Sequence, residues 1–415
     1  MRLFYTLFIV FLDALYRFAT LFNAKARLLV NGRKDVFTRL QEKFRSGGDA
    51  VVWVHCASLG EFEQGRPLIE ALHRSYPTIR ILLTFYSPSG YEVRKNYELA
   101  YHVDYLPSDT PSHARRLLEL VKPSLTVFVK YEFWPNYFQE INRQQIPLLS
   151  ISALFRADQL FFRWYGGFFL NSLHQVSWFF VQNESSKTLL QQYGLSRATV
   201  AGDTRFDRVQ AIIKEAADVR IATRFAGDKP TWVIGSCWMD DLTVLAPFIN
   251  ENQHRIKFIL APHEIDEDTL LSMERQLQVK HLRYSQAADL SDDVDCLLID
   301  NIGLLSRLYR YGNYAYVGGA FGKGLHNILE AACYGVPVFF GNRNYKKYNE
   351  ATELILRGGA FEVADYADFR AKVRHLEQDE RNYELAAAVT RQYVVENLGA
   401  TGKIMDYCHK ILQDL

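Results

Sequence analysis

The chain has 415 residues, of which 48% are hydrophobic and 14% aromatic, so it is long enough for two α/β domains with separate cores and too apolar to be disordered. Its 48 Lys and Arg residues nearly balance its 47 Asp and Glu residues, so global charge gives no reason to expect a nucleic-acid partner. The cysteines are widely spaced and form no CxxC pair, which predicts neither a zinc site nor a disulfide framework and favours a reducing cytosolic setting; they are Cys56, Cys237, Cys296, Cys333 and Cys408.

The amino-terminal segment combines an apolar run with a basic flank. Residues 3–12 are apolar and are followed by Asp13 and Arg17, and such a run is too short to cross a bilayer as a helix. Several cations come next, which is typical of a helix that lies in a membrane interface. We therefore predict that residues 1–35 form a peripheral membrane anchor; an uncleaved signal-like segment and a helix buried on the domain are the alternatives. The cations are Lys25, Arg27, Arg33 and Lys34.

From residue 51 onward, short β-branched or aromatic segments alternate with helical patterns, as in a parallel sheet covered by helices on both faces. This alternation predicts a Rossmann-like first domain over residues 36–208. The predicted strands of the first half are 51–55, 79–85, 125–130, 147–151 and 178–182, and predicted helices include 66–76, 112–121 and 185–193.

The segment after the first predicted strand, HCASLGEFEQGRP, contains a candidate general base, Glu61. A carboxylate at a strand end can take a proton from an acceptor hydroxyl. The alternative is structural, because Ser58 and Glu61 have the spacing of a capping box. Pro67 favours a regular helix that begins near Arg66 and leaves Glu61 in the loop, although a start at Gly60 with a distorted first turn is also compatible with the sequence.

A second carboxylate, Glu132, follows another predicted strand within KYEFWPN. The strand-end rule places it at the same edge of the sheet as Glu61. A carboxylate beside so much apolar surface needs a partner or water, and the candidates are Lys130, Arg156 and Arg205. We interpret the aromatic neighbours Tyr131, Phe133 and Trp134 as packing residues.

The regular alternation is interrupted between residues 205 and 230, where a charged helix predicted over 209–223 precedes Gly227 and Pro230. We place an interdomain linker at residues 209–230. The alternation then resumes and predicts a second Rossmann-like domain over residues 231–415, facing the first across a cleft. Its predicted strands are 231–235, 257–261, 279–283, 296–299, 314–317 and 336–340.

The stretch YAYVGGAFGKGLHNILE, residues 314–330, reads as a strand, a glycine-rich loop and a helix. This order is typical of a phosphate cradle, because glycines let the backbone approach an anion and the first helical turn carries free N–H groups. It spells neither GxGxxG nor a P-loop. Asn327 and Glu330 are candidates for ribose binding, with a capping box as the alternative. The glycines are Gly318, Gly319, Gly322 and Gly324.

Two further segments follow predicted strands of the second half, GSCW around Ser236 and APHE around His263. Small residues after a strand suit backbone contact with a ligand. A histidine there can donate to a phosphate and stabilise charge on a departing nucleotide, and an ordinary loop histidine is the alternative.

Several of these segments, in this order, resemble the family of 3-deoxy-D-manno-octulosonic acid (Kdo) transferases of lipopolysaccharide biosynthesis. The resemblance covers most of the chain and implies a GT-B fold and an inverting, metal-independent transfer from CMP-Kdo, with no cofactor, at the cytoplasmic side of the inner membrane. The segments that carry it are RLLVNGRK, HCASLGE, KYEFWPN, GDTRFDR and GGAFGKGLHNILEA ahead of GVPVFFGN.

The resemblance also implies roles for individual residues. Glu61 matches the general base and Glu132 a second required carboxylate, and Ser58 and Gly60 shape the acceptor loop. The first domain then takes a lipid A precursor as acceptor, and the second takes CMP-Kdo. Arg66 and Arg156 are candidates for the acceptor's phosphates, with a solvated surface role as the alternative. The implied donor-binding residues are Ser236, His263, Gly319, Gly322, Asn327 and Glu330.

Two departures from the family pattern concern charge. The segment APHEID around His263 lacks the arginines of the usual Pro-Arg-His-Pro-Glu-Arg. The segment NYKKY (residues 344–348) replaces the usual Asn-Phe, and we predict that Lys346 or Lys347 supplies the missing positive charge.

The sequence thus predicts a Kdo transferase in which Glu61 activates a sugar hydroxyl of a lipid A precursor. The alternatives are another GT-B enzyme with a UDP-sugar or other activated donor, a nucleotide-sugar epimerase of similar architecture, and a non-catalytic membrane scaffold.

Overall fold

Two seven-stranded parallel sheets, each covered by helices, dominate the computed structural model, which describes residues 1–45, 48–215 and 217–413. The chain divides into unit 1, residues 1–208 with 398–415, and unit 2, residues 209–397.

The sheet of unit 1 has the strand order β3-β2-β1-β4-β5-β6-β7. The chain adds strands on one side of β1 and then returns to the other side, so β1 and β4 are neighbours at the point where the order reverses. The strands are β1 Val51–Cys56, β2 Arg80–Phe85, β3 His102–Tyr105, β4 Leu125–Val129, β5 Leu148–Ala153, β6 Trp178–Val181 and β7 Ala198–Val200.

Helices of unit 1 precede the sheet, connect its strands and return to it at the end of the chain. They are α1 Arg2–Ala19, α2 Ala24–Arg33, α3 Val36–Phe44, α4 Leu59–Ser75, α5 Pro88–Arg94, α6 Pro111–Val121, α7 Pro135–Arg143, α8 Gly167–Leu173, α9 Glu184–Gln192 and, after unit 2, α19 Ala400–Leu412. A further helix, α10 Arg205–Glu215, spans the boundary between the units.

The sheet of unit 2 has the order β10-β11-β9-β8-β12-β13-β14, which reverses between β8 and β12. Its strands are β8 Thr231–Cys237, β9 Lys257–Pro262, β10 His281–Arg283, β11 Cys296–Leu298, β12 Tyr314–Val317, β13 Val338–Gly341 and β14 Ala360–Val363. Its helices are α11 Arg220–Ala226, α12 Met239–Glu251, α13 Glu267–Glu274, α14 Leu305–Leu308, α15 Leu329–Ala332, α16 Asn349–Arg357, α17 Tyr366–Gln378 and α18 Glu380–Glu396.

Alternating side chains of the central strands fill two separate cores in unit 1. Val52 and Val54 contribute to one buried cluster, and Val51 and Trp53 contribute to the other. Every residue of β1, β4 and β5 is buried, as expected for parallel strands with helices on both faces. The predicted fold class, an α/β protein of the GT-B type built from two Rossmann-like domains, is confirmed.

Three short strands, β3, β7 and β14, were not predicted from the sequence. The single helix predicted over 209–223 is also wrong. The structure has α10 ending at Glu215 and a separate helix, α11, beginning at Arg220; Ala216, inside the predicted linker, lies outside the described residues.

The carboxyl-terminal helix α19 belongs to unit 1, so the second domain does not extend to residue 415 as predicted. Ile404 and Cys408 of α19 are buried in the same cluster as Val52 and Val54. Asp207 accepts hydrogen bonds from the backbone N–H groups of Gly399 (2.7 Å) and Thr401 (2.6 Å). The apolar face of α19 therefore determines where it packs, and the order of segments along the chain does not.

The amino-terminal helix α1 packs on unit 1 through one face only. Ile9 is buried, the Tyr5 hydroxyl donates to Asp109 Oδ2 (2.8 Å), and Arg2 Nε donates to Asn136 Oδ1 (2.9 Å). Burial raises the pKa of Asp109 to about 6. The other face exposes large apolar side chains: Leu3, Phe4, Leu7, Phe8, Val10, Phe11, Leu15 and Phe18. Within the described ranges, none of the helices combines the length and apolarity that crossing a bilayer requires.

Candidate active site

The candidate catalytic residues of unit 1 follow β1 and β4, the neighbouring strands at which the sheet order reverses. Loops at the carboxyl ends of such strands form the ligand site of open parallel sheets. The register pairs His55 of β1 with Phe128 of β4, so the loops that begin at Ala57 and Lys130 start side by side. This topology brings the Glu61 and Glu132 loops to one edge of the sheet.

Glu61 lies in the first turn of α4, which begins at Leu59. Pro67 is therefore inside the helix, and the prediction that it marks the helix start is wrong. Ser58 is the N-cap residue, but its side chain makes no capping hydrogen bond. Instead, the Ser58 hydroxyl donates to the Glu61 carboxylate. The hydrogen bond that Ser58 would accept in a capping box is therefore absent. The Ser58 hydroxyl orients the Glu61 carboxylate at the start of α4.

Gly60 is exposed at the same turn, and a Cβ there would meet only Ser58 Oγ at 3.7 Å. Glycine is therefore not required here by close packing within unit 1, and the position leaves open space beside Glu61.

Glu132 is 17% exposed and accepts hydrogen bonds from two rings: Trp134 Nε1 at 2.9 Å and, more weakly, His55 Nε2 at 3.4 Å. In the described part of the chain these rings are its hydrogen-bond partners, and none of the candidate cations Lys130, Arg156 and Arg205 is. Trp134, which was interpreted as a packing residue, also orients the Glu132 carboxylate through its indole N–H.

A chain of hydrogen bonds behind Glu132 determines the tautomer of His55. Trp53 Nε1 donates to Thr84 Oγ1 (2.8 Å), and Thr84 Oγ1 lies 2.9 Å from His55 Nδ1. Because the Thr84 hydroxyl accepts from the indole, its own proton is free for Nδ1. We infer that His55 donates from Nε2 to Glu132, because a carboxylate can only accept. His55 is fully buried and was missed by sequence reasoning.

Both carboxylates act electrostatically on one buried thiol. Burial raises the pKa of Cys56 well above its ordinary value, and the negative charges of Glu61 and Glu132 raise it further. The thiol is therefore protonated at neutral pH and is unsuited to nucleophilic chemistry.

The GDTRFDR segment supports α4 from behind. Asp203 accepts from Gln64 Nε2 (2.8 Å) and from Arg205 Nη2 (2.8 Å), and the Thr204 hydroxyl donates to the Gln64 carbonyl. Burial alone would raise the pKa of Asp203, but the Arg205 guanidinium and these hydrogen bonds lower it below its usual value. The segment therefore fixes the position of the helix that carries Glu61.

The two arginines predicted for acceptor phosphates are engaged elsewhere in unit 1. Arg66 Nε donates to Glu70 Oε1 (2.7 Å), and Arg156 Nη1 donates to the Tyr131 hydroxyl (3.3 Å). Arg156 remains exposed. Their role toward an acceptor stays a prediction.

The candidate residues of unit 2 occupy the corresponding place in its sheet. Ser236 lies at the end of β8, and Gly318 and Gly319 follow β12, the neighbour of β8 at the reversal of strand order. Gly319 has a φ of +95°, and a Cβ on Gly318 would lie 2.3 Å from the Ser236 carbonyl oxygen. Glycine is thus required at both positions by conformation or close approach.

Asp241, which sequence reasoning missed, ties these two loops together. Its Oδ2 accepts from the backbone N–H groups of Gly319 (2.9 Å) and Trp238 (3.0 Å), and its Oδ1 accepts from the Tyr316 hydroxyl (2.9 Å). Burial raises the pKa of this carboxyl although the three donors counteract the rise. The feature that could have identified Asp241 from the sequence is its place as the third residue of α12, directly after a turn of small residues.

His263 takes part in a column of rings beside the glycine loop. Its ring stacks on Trp238 at a centroid distance of 4.3 Å and lies 4.4 Å from the ring of His326. Trp238 Nε1 donates to His326 Nε2 (3.2 Å). Burial lowers the pKa of His326 to about 4, so it is neutral at pH 7. We infer that its proton is on Nδ1, because Nε2 accepts from the indole.

Lys323, inside the glycine loop, was also missed. Its Nζ lies 4.1 Å from the centre of the Trp238 ring and 3.9 Å from Glu264 Oε1. The sequence signal was the GKG triplet. Of the two lysines predicted to supply charge, Lys347 adjoins the loop, since a Cβ on Gly324 would lie 3.3 Å from its Nζ; Lys346 is exposed.

The helix after the glycine loop, α15, is only one turn long. It therefore does not supply the partial positive charge that the start of a longer helix would add to a phosphate cradle. Asn327 directly precedes Ile328, the N-cap residue of α15, and its Oδ1 accepts a hydrogen bond from the Leu329 N–H (3.2 Å), so its side chain caps the helix start as the capping alternative expected. The Asn327 amide donates to Glu330 Oε1 (3.1 Å). Gly322 is exposed at the outer tip of the loop, where Asn344 donates to its carbonyl (2.7 Å).

Two Rossmann-like units, each with polar and charged side chains at the reversal of its strand order, define a protein of the GT-B class. Residues 34–208 match the family described as 3-deoxy-D-manno-octulosonic-acid transferase (kdotransferase). The 3-deoxy-D-manno-octulosonic acid transferase of Aquifex aeolicus is 28% identical over 334 residues, covering 78% of this chain and 85% of that protein. The amino-terminal domain thus matches the Kdo transferase family, and the chain is similar to Kdo transferases over most of its length, which supports glycosyltransferase activity.

Two further comparisons agree with this assignment. The transferase of the same name from Rickettsia bellii is 24% identical over 402 residues, covering 93% of both chains. In fold alone, the chain is similar to UDP-GlcNAc 2-epimerase from Neisseria meningitidis bound to UDP-GlcNAc, with a TM-score of 0.62 and 16% identity over 87% of this chain and 100% of that one.

Proposed function

We propose that this protein transfers Kdo from CMP-Kdo to a sugar hydroxyl of a lipid A precursor, with inversion at the anomeric carbon and without a metal ion. The observation that carries the proposal is the pair of carboxylates at the strand reversal of unit 1, Glu61 oriented by Ser58 and Glu132 oriented by His55 and Trp134, in a chain that is similar to Kdo transferases.

In the proposed reaction, Glu61 removes the proton of the acceptor hydroxyl, whose oxygen forms a bond to the anomeric carbon of Kdo while the bond to the CMP phosphate breaks. A general base is needed because a sugar hydroxyl is a weak nucleophile at neutral pH. Ser58 holds the Glu61 carboxylate. Glu132 already accepts two hydrogen bonds on one oxygen, and we assign it to positioning the acceptor.

Unit 2 is proposed to bind the donor and to stabilise the charge that develops on departing CMP. Asp241 holds the Gly319 N–H in place, and His326 offers an Nδ1–H donor that stays neutral at physiological pH. Lys323 and Lys347 provide positive charge near the glycine loop. We assign Ser236, His263, Asn327 and Glu330 to contacts with the nucleotide and its ribose, as the family resemblance implies.

We further propose that α1 anchors the protein on the cytoplasmic face of the inner membrane. Phe4, Phe8 and Phe11 are 71%, 57% and 59% exposed, on the side of α1 that does not pack on unit 1. Apolar side chains of this size lose free energy on leaving water, so an interface rich in acyl chains is their expected environment.

Replacing Phe4, Phe8 and Phe11 together by serine is expected to lower partitioning onto lipid vesicles more than about a hundredfold, since each buried phenylalanine contributes roughly 1.5–3 kcal/mol. Vesicle co-sedimentation measures the effect. Tyr5 and Ile9, which attach α1 to unit 1, are unchanged. Leu356→Ser, at an exposed leucine of unit 2, is the control, and unchanged partitioning of the triple variant would refute the anchor.

Purified protein incubated with CMP-Kdo and a tetraacylated lipid A precursor is expected to yield a lipid heavier by one or more Kdo residues, as seen by mass spectrometry. CMP is expected to bind more tightly than UDP. Transfer from a UDP-sugar with no transfer from CMP-Kdo would support another GT-B glycosyltransferase, and conversion of a UDP-sugar without an acceptor would support an epimerase.

A further inference from the structure

A cavity of about 650 Å³ lies in unit 1 between α1, the connection from α2 to α3, and the start of α6. This cavity was not predictable from sequence patterns, because its walls come from three separate segments. Cations outnumber carboxylates on its walls: Arg17, Arg33, Lys34 and Arg116 face Asp13 and Asp35, with His113 beside them. An excess of positive charge in a partly enclosed space favours an anionic ligand.

Arg33 is the most buried cation of this cavity, with a side chain 12% exposed. Its Nη1 is 3.6 Å from Asp13 Oδ1, which is too long for a strong hydrogen bond. Its Nε and Nη2 are buried and have no hydrogen-bond partner among the residues described. Unsatisfied buried guanidinium groups are costly, and the planar fork of N–H donors matches the oxygens of a phosphate.

Aromatic rings connect the cavity to the candidate active site. The Arg33 guanidinium lies 4.7 Å from the centre of the Tyr86 ring, and Tyr86 stacks on Trp134 at a centroid distance of 5.0 Å. Trp134 in turn donates to Glu132. The cavity arginine is therefore connected to this carboxylate through the two neighbouring rings of Tyr86 and Trp134.

The cavity also adjoins the exposed apolar face of α1. Tyr16 and Arg17 line the cavity, whereas Leu15 and Phe18, their neighbours in the same helix, are exposed apolar residues. A ligand with a phosphate group and acyl chains matches both surfaces at once.

We propose that this cavity binds a phosphate group of the lipid acceptor and so holds the acceptor while its sugar hydroxyl reaches Glu61. The assignment rests on the proposed function and replaces Arg66 and Arg156 as the principal phosphate ligands by Arg33, Lys34 and Arg116. Ordinary anionic membrane lipids also carry a phosphate, and the experiment separates the two sources.

The experiment measures binding of the full chain to phosphatidylcholine nanodiscs that contain a bisphosphorylated glucosamine disaccharide lipid, its dephosphorylated counterpart, or phosphatidylglycerol. Arg33→Gln and Arg116→Gln are each expected to weaken binding to the phosphorylated disaccharide about tenfold more than Lys25→Gln does. Lys25 is exposed and outside the cavity. On the other two lipids, the cavity variants are expected to match Lys25→Gln.

Equal losses on the phosphorylated and dephosphorylated disaccharides would overturn the proposal, and so would an equal loss on phosphatidylglycerol, which would indicate a general headgroup site. Arg116 is exposed, so its variant is expected to fold normally even if Arg33→Gln is destabilised, and thermal unfolding checks this.

In transfer assays, Arg116→Gln is expected to raise the acceptor KM about tenfold with little change in kcat or in the donor KM. Phosphate-dependent binding without any transfer from CMP-Kdo would support the cavity while refuting the proposed function. Transfer with no dependence on the acceptor's phosphates would refute the cavity alone.

Discussion

Glu61→Gln is expected to lower the turnover number for Kdo transfer by about 10²–10⁴-fold, the usual contribution of a general base. Glutamine keeps the size of the side chain and can still accept a hydrogen bond from Ser58, but it cannot remove the acceptor proton. Binding of CMP-Kdo is expected to be unchanged, because the donor is assigned to unit 2. Steady-state kinetics with both substrates varied, together with donor binding by calorimetry, measures both effects.

Glu63→Gln is the matched control, since Glu63 lies in the same helix but pairs with Arg94 at 3.1 Å. Its partly exposed ion pair is expected to contribute at most about 1 kcal/mol to stability and nothing to the chemical step. Near-normal turnover of Glu61→Gln, or an equal loss in both variants, would refute the assignment of Glu61 as the base.

Asp241→Asn is expected to weaken CMP binding tenfold or more and to lower the free energy of unfolding by about 1–3 kcal/mol. The carboxylate accepts from three donors, two of them backbone N–H groups of the Trp238 and Gly319 loops. An amide in its best orientation keeps both loop N–H groups on its uncharged oxygen and turns its N–H₂ toward the Tyr316 hydroxyl, so the charge-assisted hydrogen bonds that join the two loops are weakened. Calorimetric titration with CMP and urea unfolding give the two quantities.

The adjacent Asp240 provides the control because it is exposed, and Asp240→Asn is expected to be close to the parent protein in stability. A change in unfolding free energy without a change in CMP affinity would show that Asp241 supports the fold of unit 2 but does not position the donor loops. Unchanged values of both would contradict its role in joining the loops.

The positions of the carboxylates were predictable because short buried strands are recognisable and the residues after them belong to one edge of the sheet. Their surroundings were not. Glu132 was expected to pair with a cation, yet the structure surrounds it with His55 and Trp134. Hydrogen bonds between loops that are distant in sequence follow from the strand order, and no spacing within either motif encodes them.

In unit 2, Asp241 and His326 show the same difference between a segment whose position is predictable and side-chain contacts that are not. The glycine loop and the turn after β8 were both recognisable as ligand-binding segments. The residue that joins them, Asp241, resembles an ordinary helix-start carboxylate in sequence, and His326 acquires its lowered pKa only through burial against Trp238 and His263. Burial and electrostatic environment depend on contacts across the sheet, which a single sequence does not reveal.

The amino-acid sequence alone determined the two parallel sheets, the strand ends after which Glu61, Glu132 and the glycines lie, and the apolar amino-terminal helix, because each depends on short-range patterns of side chains. Only the tertiary structure decided that α19 returns to unit 1, that a basic cavity forms between α1 and α6, and which partners hold each carboxylate. These features depend on which surfaces of distant segments are buried together, and that outcome is a property of packing.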